Sequence, residues 1–353
     1  MSSTCGRPSR PSPLPCNIQA EIKNRSGDPR WWCTVHGAPA WDPGGDALAE
    51  CPGAGVPDIA DDDRLIVDPD DYPGGVALWG AADPVLNTGP DPTDHGIHVH
   101  ARHRAAGPKL VDATFQEVSL LLDDGVRIVR SDAARAFMVA AVFGLELKVL
   151  RCPRCGEVHL DAAEFAVEAH RKHQCNRCGR HFFDPDQEAS ISNPCADLAE
   201  RLGVIRATPL PSTKSLCIEQ SDFGGLAVWG SNPALVWISS QPEESGIHVH
   251  GWASGGEQVI DDTYGAVTID GVVLDPEQIR VLMVQRSLEF LQDRVTSLRC
   301  PVCNEAHLDR GLEALRPHAT HICESCGAQF AGRGRRRKVV SNPMLNVVAN
   351  LIR

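Results

Sequence analysis

No stretch of the 353-residue chain approaches the roughly eighteen consecutive apolar residues that a membrane-spanning helix needs, so no such helix is expected. The first residues, MSSTCGRPSRPSPLP, lack the apolar core of a secretory leader. Aromatic residues are scarce at 5%, and 34 Lys and Arg are outnumbered by 46 Asp and Glu. The resulting charge of −12 excludes a protein that wraps nucleic acid over its whole surface. A Walker loop, a dinucleotide fingerprint and a G-x-S-x-G elbow are all missing, which removes the usual sequence grounds for three large enzyme classes. With 42% hydrophobic and 23% charged residues the chain should nevertheless fold, and its length suits two or three domains. What it has in excess is cysteine and histidine, fourteen of each. Without a leader, a reducing cytoplasmic setting is expected, where paired cysteines serve as metal ligands rather than disulfides.

The sequence also repeats itself at a shift of about 150 residues. GGVALWG from Gly74 answers GGLAVWG from Gly224, and GIHVH ending at His100 answers GIHVH ending at His250. DATF from Asp112 answers DDTY ending at Tyr264, and LRCPRC ending at Cys155 answers LRCPVC ending at Cys303. H-x2-H-x-C-x2-C and then SNP follow in both halves. So many motifs in one order imply a tandem duplication, with units at 72–200 and 216–353 joined by the Pro/Ser/Thr-rich linker 205–215. Residues 1–16 read as a disordered tail. Residues 17–71 have no counterpart and read as an irregular extension carrying Trp31, Trp32, Cys33, His36, Trp41 and Cys51. Their loose spacing, with Cys16, fits free thiols better than a third metal site.

Each unit divides into three parts, giving an α+β fold: a small β-rich region plus helix, followed by a Cys/His module. Short apolar or alternating runs punctuated by Gly, Pro and Asp place strands in 72–130 and 216–274. Helices are expected at 131–149 and 275–297. The first starts at Ser131 or Asp132 with Phe137, Met138, Ala141, Val142 and Leu145 inward. The second has Asp275 as cap, Pro276 in the first turn and Ile279, Leu282, Met283, Phe290 and Leu291 inward. The modules occupy 150–183 and 298–330, and short helices at 193–203 and 342–352 follow each SNP.

The modules carry the strongest chemical signal. Cys152-x2-Cys155 is followed after nineteen residues by Cys175-x2-Cys178, and Cys300-x2-Cys303 by Cys323-x2-Cys326 at the same interval. Two thiolates on one tight turn grip one Zn²⁺ and two such turns complete a tetrahedron. Gly156, Gly179 and Gly327 follow the second cysteine of three turns, where positive φ is needed, and Asn304 takes that place in the fourth. These turns resemble the knuckles of zinc-ribbon domains over about thirty residues per unit, a likeness that implies metal and no particular activity. Two zinc ions per chain are expected, each worth roughly 10–16 kcal/mol of apparent binding energy to a module too small to fold alone. The order Cys-x2-Cys, His-x2-His, Cys-x2-Cys is also similar to the RING module of ubiquitin ligases, but only the lone Cys195 follows where a RING needs another pair. His159, His170 and His173, matched by His307, His318 and His321, leave the ligand set open.

The second signal is His-x-His. On a strand, residues two apart share one face, about 6.6 Å apart along it. His98 with His100, and His248 with His250, thus present imidazole pairs that either pack the zinc module beside Trp79 or Trp229 or begin an additional metal site in each unit. That would raise the zinc count to as many as four. A third ligand would come from Asp112 (Asp261 or Asp262 in the second unit) or from His159 with Asp161 (His307 with Asp309). Cupins and zinc deaminases share part of this pattern but need residues missing here, and amidohydrolases need a large barrel for which each unit is too short. Finally, Arg333, Arg335, Arg336, Arg337 and Lys338 make a basic loop where the first unit has FFDPDQEAS. The sequence therefore points to a zinc-stabilised binding or scaffold protein with a protein or nucleic-acid partner and no catalytic residues assigned. The alternative is a metal-dependent hydrolase built on His-x-His.

Overall fold

The computed structural model describes residues 64–89, 96–104, 107, 109–202, 209–239, 243–331 and 338–352, together with the backbone of 18–23, 29–33 and 38–39. The fold is mixed α+β, mostly short strands with a few helices. Within the extension expected to be irregular, Ile18–Lys23, Pro29–Cys33 and Ala38–Pro39 form a three-stranded antiparallel sheet. Cys16, His36 and Cys51 lie outside the described residues.

Two four-stranded antiparallel sheets dominate. In the first, the order is Val236–Ile238, Gly75–Gly80, Ile97–Arg102, Lys109–Phe115. In the second it is Gln258–Tyr264, Ile247–Trp252, Gly225–Gly230, Leu86–Asn87. Each sheet is thus completed at one edge by a short strand from the other half of the chain. Val236 lies opposite Leu78, and Leu86 opposite Val228. The exchange also mixes the cores: Leu235 and Val236 are buried among first-half residues such as Leu78, Val99 and Phe137, while Val85, Leu86 and Met138 join Val228, Val249 and Leu282. A smaller three-stranded sheet flanks each large one. In it Arg64–Val67 runs parallel to Glu117–Leu122, and Ser215–Ile218 parallel to Ala266–Ile269.

Strand period sets the two faces. In IHVHAR, Ile97, Val99 and Ala101 are fully buried, and His98, His100 and Arg102 occupy the opposite, half-buried face. On the buried side, the helices Ser131–Phe143 and Pro276–Ser287 lie on the GVALWG and GLAVWG strands. The approach is so close that a Cβ on Gly80 would sit 2.2 Å from the Ala134 carbonyl oxygen, and one on Gly230 2.3 Å from Arg280 Cα. The first helix stops at Phe143, short of the expected 149, because Gly144 turns the chain at φ 64°; Leu145 lies beyond it. The second begins as its sequence suggests: Asp275 accepts the Gln278 N–H at 2.9 Å and Pro276 is its first residue. It ends at Ser287, and the chain continues as a 3₁₀ segment, Glu289–Arg294, short of the expected 297. In the 205–215 stretch, Leu210–Pro211 pairs in parallel with Glu244–Ser245.

Candidate metal centres

The four cysteines of each module converge. Cys152 Sγ lies 3.6 Å from Cys178 Sγ and Cys155 Sγ 3.6 Å from Cys175 Sγ; the equivalent separations are 3.6 Å for Cys300–Cys326 and 3.5 Å for Cys303–Cys323. None of the eight is in a disulfide. A tetrahedron with Zn–S bonds near 2.3 Å has edges of about 3.8 Å, so both groups are sized for such an ion. The turns that hold them are alike. Gly156, Gly179 and Gly327 have φ between 68° and 72° and Asn304 has 62°, and each donates its N–H to the carbonyl of the first cysteine at 2.8–2.9 Å. Four thiols this close do not ionise alike. Burial opposes ionisation of Cys152, but the N–H groups of Cys155 and Arg154 bring its pKa down to about 6. Cys155 gains a favourable N–H from Glu157, yet burial and the three other thiols push it up to about 12. A bound dication removes that conflict.

A repeated SNP segment fastens each module to the core. Asn193 accepts the Cys195 N–H and donates to the Ala133 carbonyl, at 2.8 and 2.9 Å; Asn342 does the same with Met344 and Gln278, both at 2.9 Å. The asparagine thereby starts the following helix and ties it to the helix lying on the sheet.

The His-x-His pairs form a second kind of group. His98 Nε2 and His100 Nε2 are 2.8 Å apart, and both face Asp112 Oδ1, at 3.3 and 3.2 Å. In the second half, His248 and His250 are 2.8 Å apart and 3.6 and 3.5 Å from Asp261 Oδ1. Strand register produces this: His100 is paired with Asp112 and His250 with Asp261, so each carboxylate shares a face with its imidazoles. Of the third-ligand candidates, the structure brings Asp112 and Asp261 to the pairs. Asp262 instead meets Lys214, while His159 with Asp161 and His307 with Asp309 lie in separate clusters. Thr114 and Thr263 hydroxyls lie 3.2 and 3.1 Å from the outer ring nitrogens of His98 and His248, and fix the ring orientation. Trp79 and Trp229 stand edge-on to His100 and His250, with ring centroids 4.9 Å apart in each pair.

The electrostatics suit ligands. Burial brings His100 down to about 4 and lowers His248 well below the ordinary histidine value, so both are neutral. Burial works against charge on Asp112 and Asp261, but their imidazole partners and Lys109 hold both well below the usual carboxylate range. Lys109, which sequence reasoning passed over, donates to Asp112 Oδ2 at 3.0 Å and to Asp261 Oδ2. A register shift next to Arg102 skips Leu110 and turns Lys109 onto the carboxylate face. The two His₂-carboxylate groups therefore flank one ammonium. The corresponding residue after the same shift in the second half is Gln258.

Of the basic loop only Lys338 is described, and it is exposed; Arg333, Arg335, Arg336 and Arg337 lie outside the described residues. No helix in the described residues is long and apolar enough to cross a membrane. No protein-family model, curated protein or solved structure matches the chain.

Proposed function

We propose that the chain is a duplicated zinc protein in which Cys152, Cys155, Cys175 and Cys178, and Cys300, Cys303, Cys323 and Cys326, hold structural zinc. The His98/His100/Asp112 and His248/His250/Asp261 groups would bind catalytic metal for a hydrolytic reaction. The duplication reading rests on matched motifs in one order and on matched registers around His100 and His250. The catalytic reading rests on one observation: two imidazole nitrogens and one carboxylate oxygen converge from a partly exposed strand face, three protein ligands rather than four among the described residues. Structural zinc sites are closed by four protein ligands, whereas catalytic ones keep a position for water. A metal held by His98, His100 and Asp112, or by His248, His250 and Asp261, would supply activation of water for hydrolysis. The chain's own contribution is to keep His100 and His248 neutral, orient His98 and His248 through Thr114 and Thr263, and balance two adjacent carboxylates with Lys109.

The test is zinc-dependent hydrolysis of p-nitrophenyl acetate and bis-p-nitrophenyl phosphate by the full chain. Turnover should be lost in His100→Ala with His250→Ala while the circular dichroism spectrum is retained. Absence of metal-dependent turnover on both probes, or turnover that survives the substitutions, contradicts the reading.

A binding or scaffold role is the second reading, and exposed apolar side chains on the modules favour it: Phe183, Val302 and Ile322. Under that reading a partner protein or nucleic acid docks on the modules, and a nucleic acid would use the loop at 333–338. Its binding would weaken with salt and be lost on neutralising Arg335, Arg336 and Arg337, while His100→Ala with His250→Ala would leave it intact.

A further inference from the structure

The residues that connect the two cysteine turns form a third cluster. His159 Nε2, His170 Nε2 and His173 Nδ1 all face a single atom, Asp161 Oδ1, at 2.7, 3.2 and 3.3 Å. In the second half, His307 Nε2, His318 Nε2 and His321 Nδ1 face Asp309 Oδ1 at 2.8, 3.3 and 3.1 Å. Both carboxylates are buried, with side chains 3% exposed, and each is aimed by its other oxygen. Asp161 Oδ2 accepts the Ser192 N–H at 2.7 Å, and Asp309 Oδ2 the Ser341 N–H at 2.6 Å.

Hydrogen bonds on the far sides of the rings decide what faces the carboxylate. Asn176 Oδ1 accepts the Leu160 N–H, so it is also the acceptor for His159 Nδ1–H, 2.7 Å away. His170 Nδ1 donates to the Glu168 carbonyl at 2.9 Å, and His318 Nδ1 to the Arg316 carbonyl at 2.8 Å. A neutral imidazole carries one N–H, so with Nδ1 protonated its Nε2 is a bare lone pair. In the first half, two bare nitrogens therefore face the same carboxylate oxygen inside the protein. Lone pairs on all three cannot satisfy one another. Protonating both rings would bury two adjacent imidazolium ions against one carboxylate, a costly arrangement. One divalent cation between them satisfies every donor. His321 occupies the matching place in the second half, its side chain 0% exposed and held through Nδ1 on Asp309 Oδ1, with no hydrogen-bond partner at Nε2.

We infer that each half holds a further, buried metal ion, bound by His159, His170, His173 and Asp161 in the first and by His307, His318, His321 and Asp309 in the second. Three imidazoles and a carboxylate select a borderline ion of the zinc class, and four protein ligands make the site structural. The site nests inside the cysteine site along the chain. The outer Cys-x2-Cys pairs share one ion and the inner His-x-Asp and His-x2-His pairs share the other, whereas a RING interleaves its pairs. The repeated SNP serine gains a role as the residue that aims the ligating carboxylate. This inference does not depend on metal at the His-x-His strands.

The test is metal content of the full chain purified without added metal, together with His170→Ala combined with His318→Ala, positions nearer the surface than the other ring ligands. The variant should hold two ions fewer than the parent, whether or not the His98 and His248 groups are loaded, which the separate His98/His100/His248/His250-to-Ala variant reports. Should the His170/His318 variant not fold, nitrogen-15 histidine spectra of the parent decide. Nε2 of His159 and His170 should carry no proton and shift on chelation. Equal metal content in parent and variant, or protonated Nε2 on both rings in the metal-loaded parent, overturns the inference.

Discussion

The cysteine groups and the His-x-His groups differ in how far apart in the fold their parts originate. Each cysteine group is made by two local turns whose geometry is set within five residues, and it closes on itself with four side chains of one kind. Each His₂-carboxylate group is assembled by pairing two strands in a sheet whose edge strand comes from the other half, and a single lysine joins the two groups. A locally built closed site can be a folding device, because the ion stands in for a core. A site spread over a finished sheet depends on the fold instead, and three ligands among the described residues leave a coordination position open.

That contrast is broken most strongly at a cysteine. Cys152→Ser or Cys300→Ser should remove one zinc and with it roughly 10–16 kcal/mol of apparent binding energy. Hydrogen exchange should then show protection lost across 150–183 or 298–330 while the Ile97–Arg102 and Ile247–Trp252 strands stay protected. Protection surviving in the module would mean that the ion is not what folds it. Next in size, Thr114→Val should weaken metal binding at His98/His100/Asp112 by about 10–100-fold, since the hydroxyl orients the ring, without altering the cysteine zinc. Metal titration by calorimetry checks this. Gly80→Ala pushes a methyl into the Ala134 carbonyl and should cost roughly 1–3 kcal/mol in urea unfolding. The smallest effect is expected from Lys109→Gln, which gives the first half the residue found in the second. Removing an ammonium beside the ligating carboxylates should tighten metal binding there by about 1 kcal/mol, roughly fivefold. Weaker binding would show that Lys109 organises the site more than it competes with the ion.

Local chemistry was legible in the sequence and assembly was not. The cysteine turns could be read residue by residue, down to Asn304 replacing glycine at positive φ, because a turn's conformation is dictated by a few neighbours. His98 and His100 sharing a face follows from strand period alone, and Asp112 is one of the third ligands the sequence offers. The exchanged strands left no signal: Leu86–Asn87 and Val236–Ile238 are two and three residues long, too short for any periodicity. Lys109 was hidden for a related reason, because three residues before Asp112 on a regular strand it would face the other way, and only the register shift turns it inward. The end of the first helix was missed at Gly144, where apolar residues continue beyond the turn and imitate helical spacing.

The central claim of the proposed function is that closed cysteine sites and open His-x-His sites both hold metal. It is tested most directly by counting metal in the parent and in the His98/His100/His248/His250-to-Ala variant, both purified without added metal. The account predicts two ions fewer per chain in the variant, with the cysteine-bound zinc unchanged. Equal counts in the two proteins would contradict it, and would leave the His-x-His strands as packing surfaces of a binding protein.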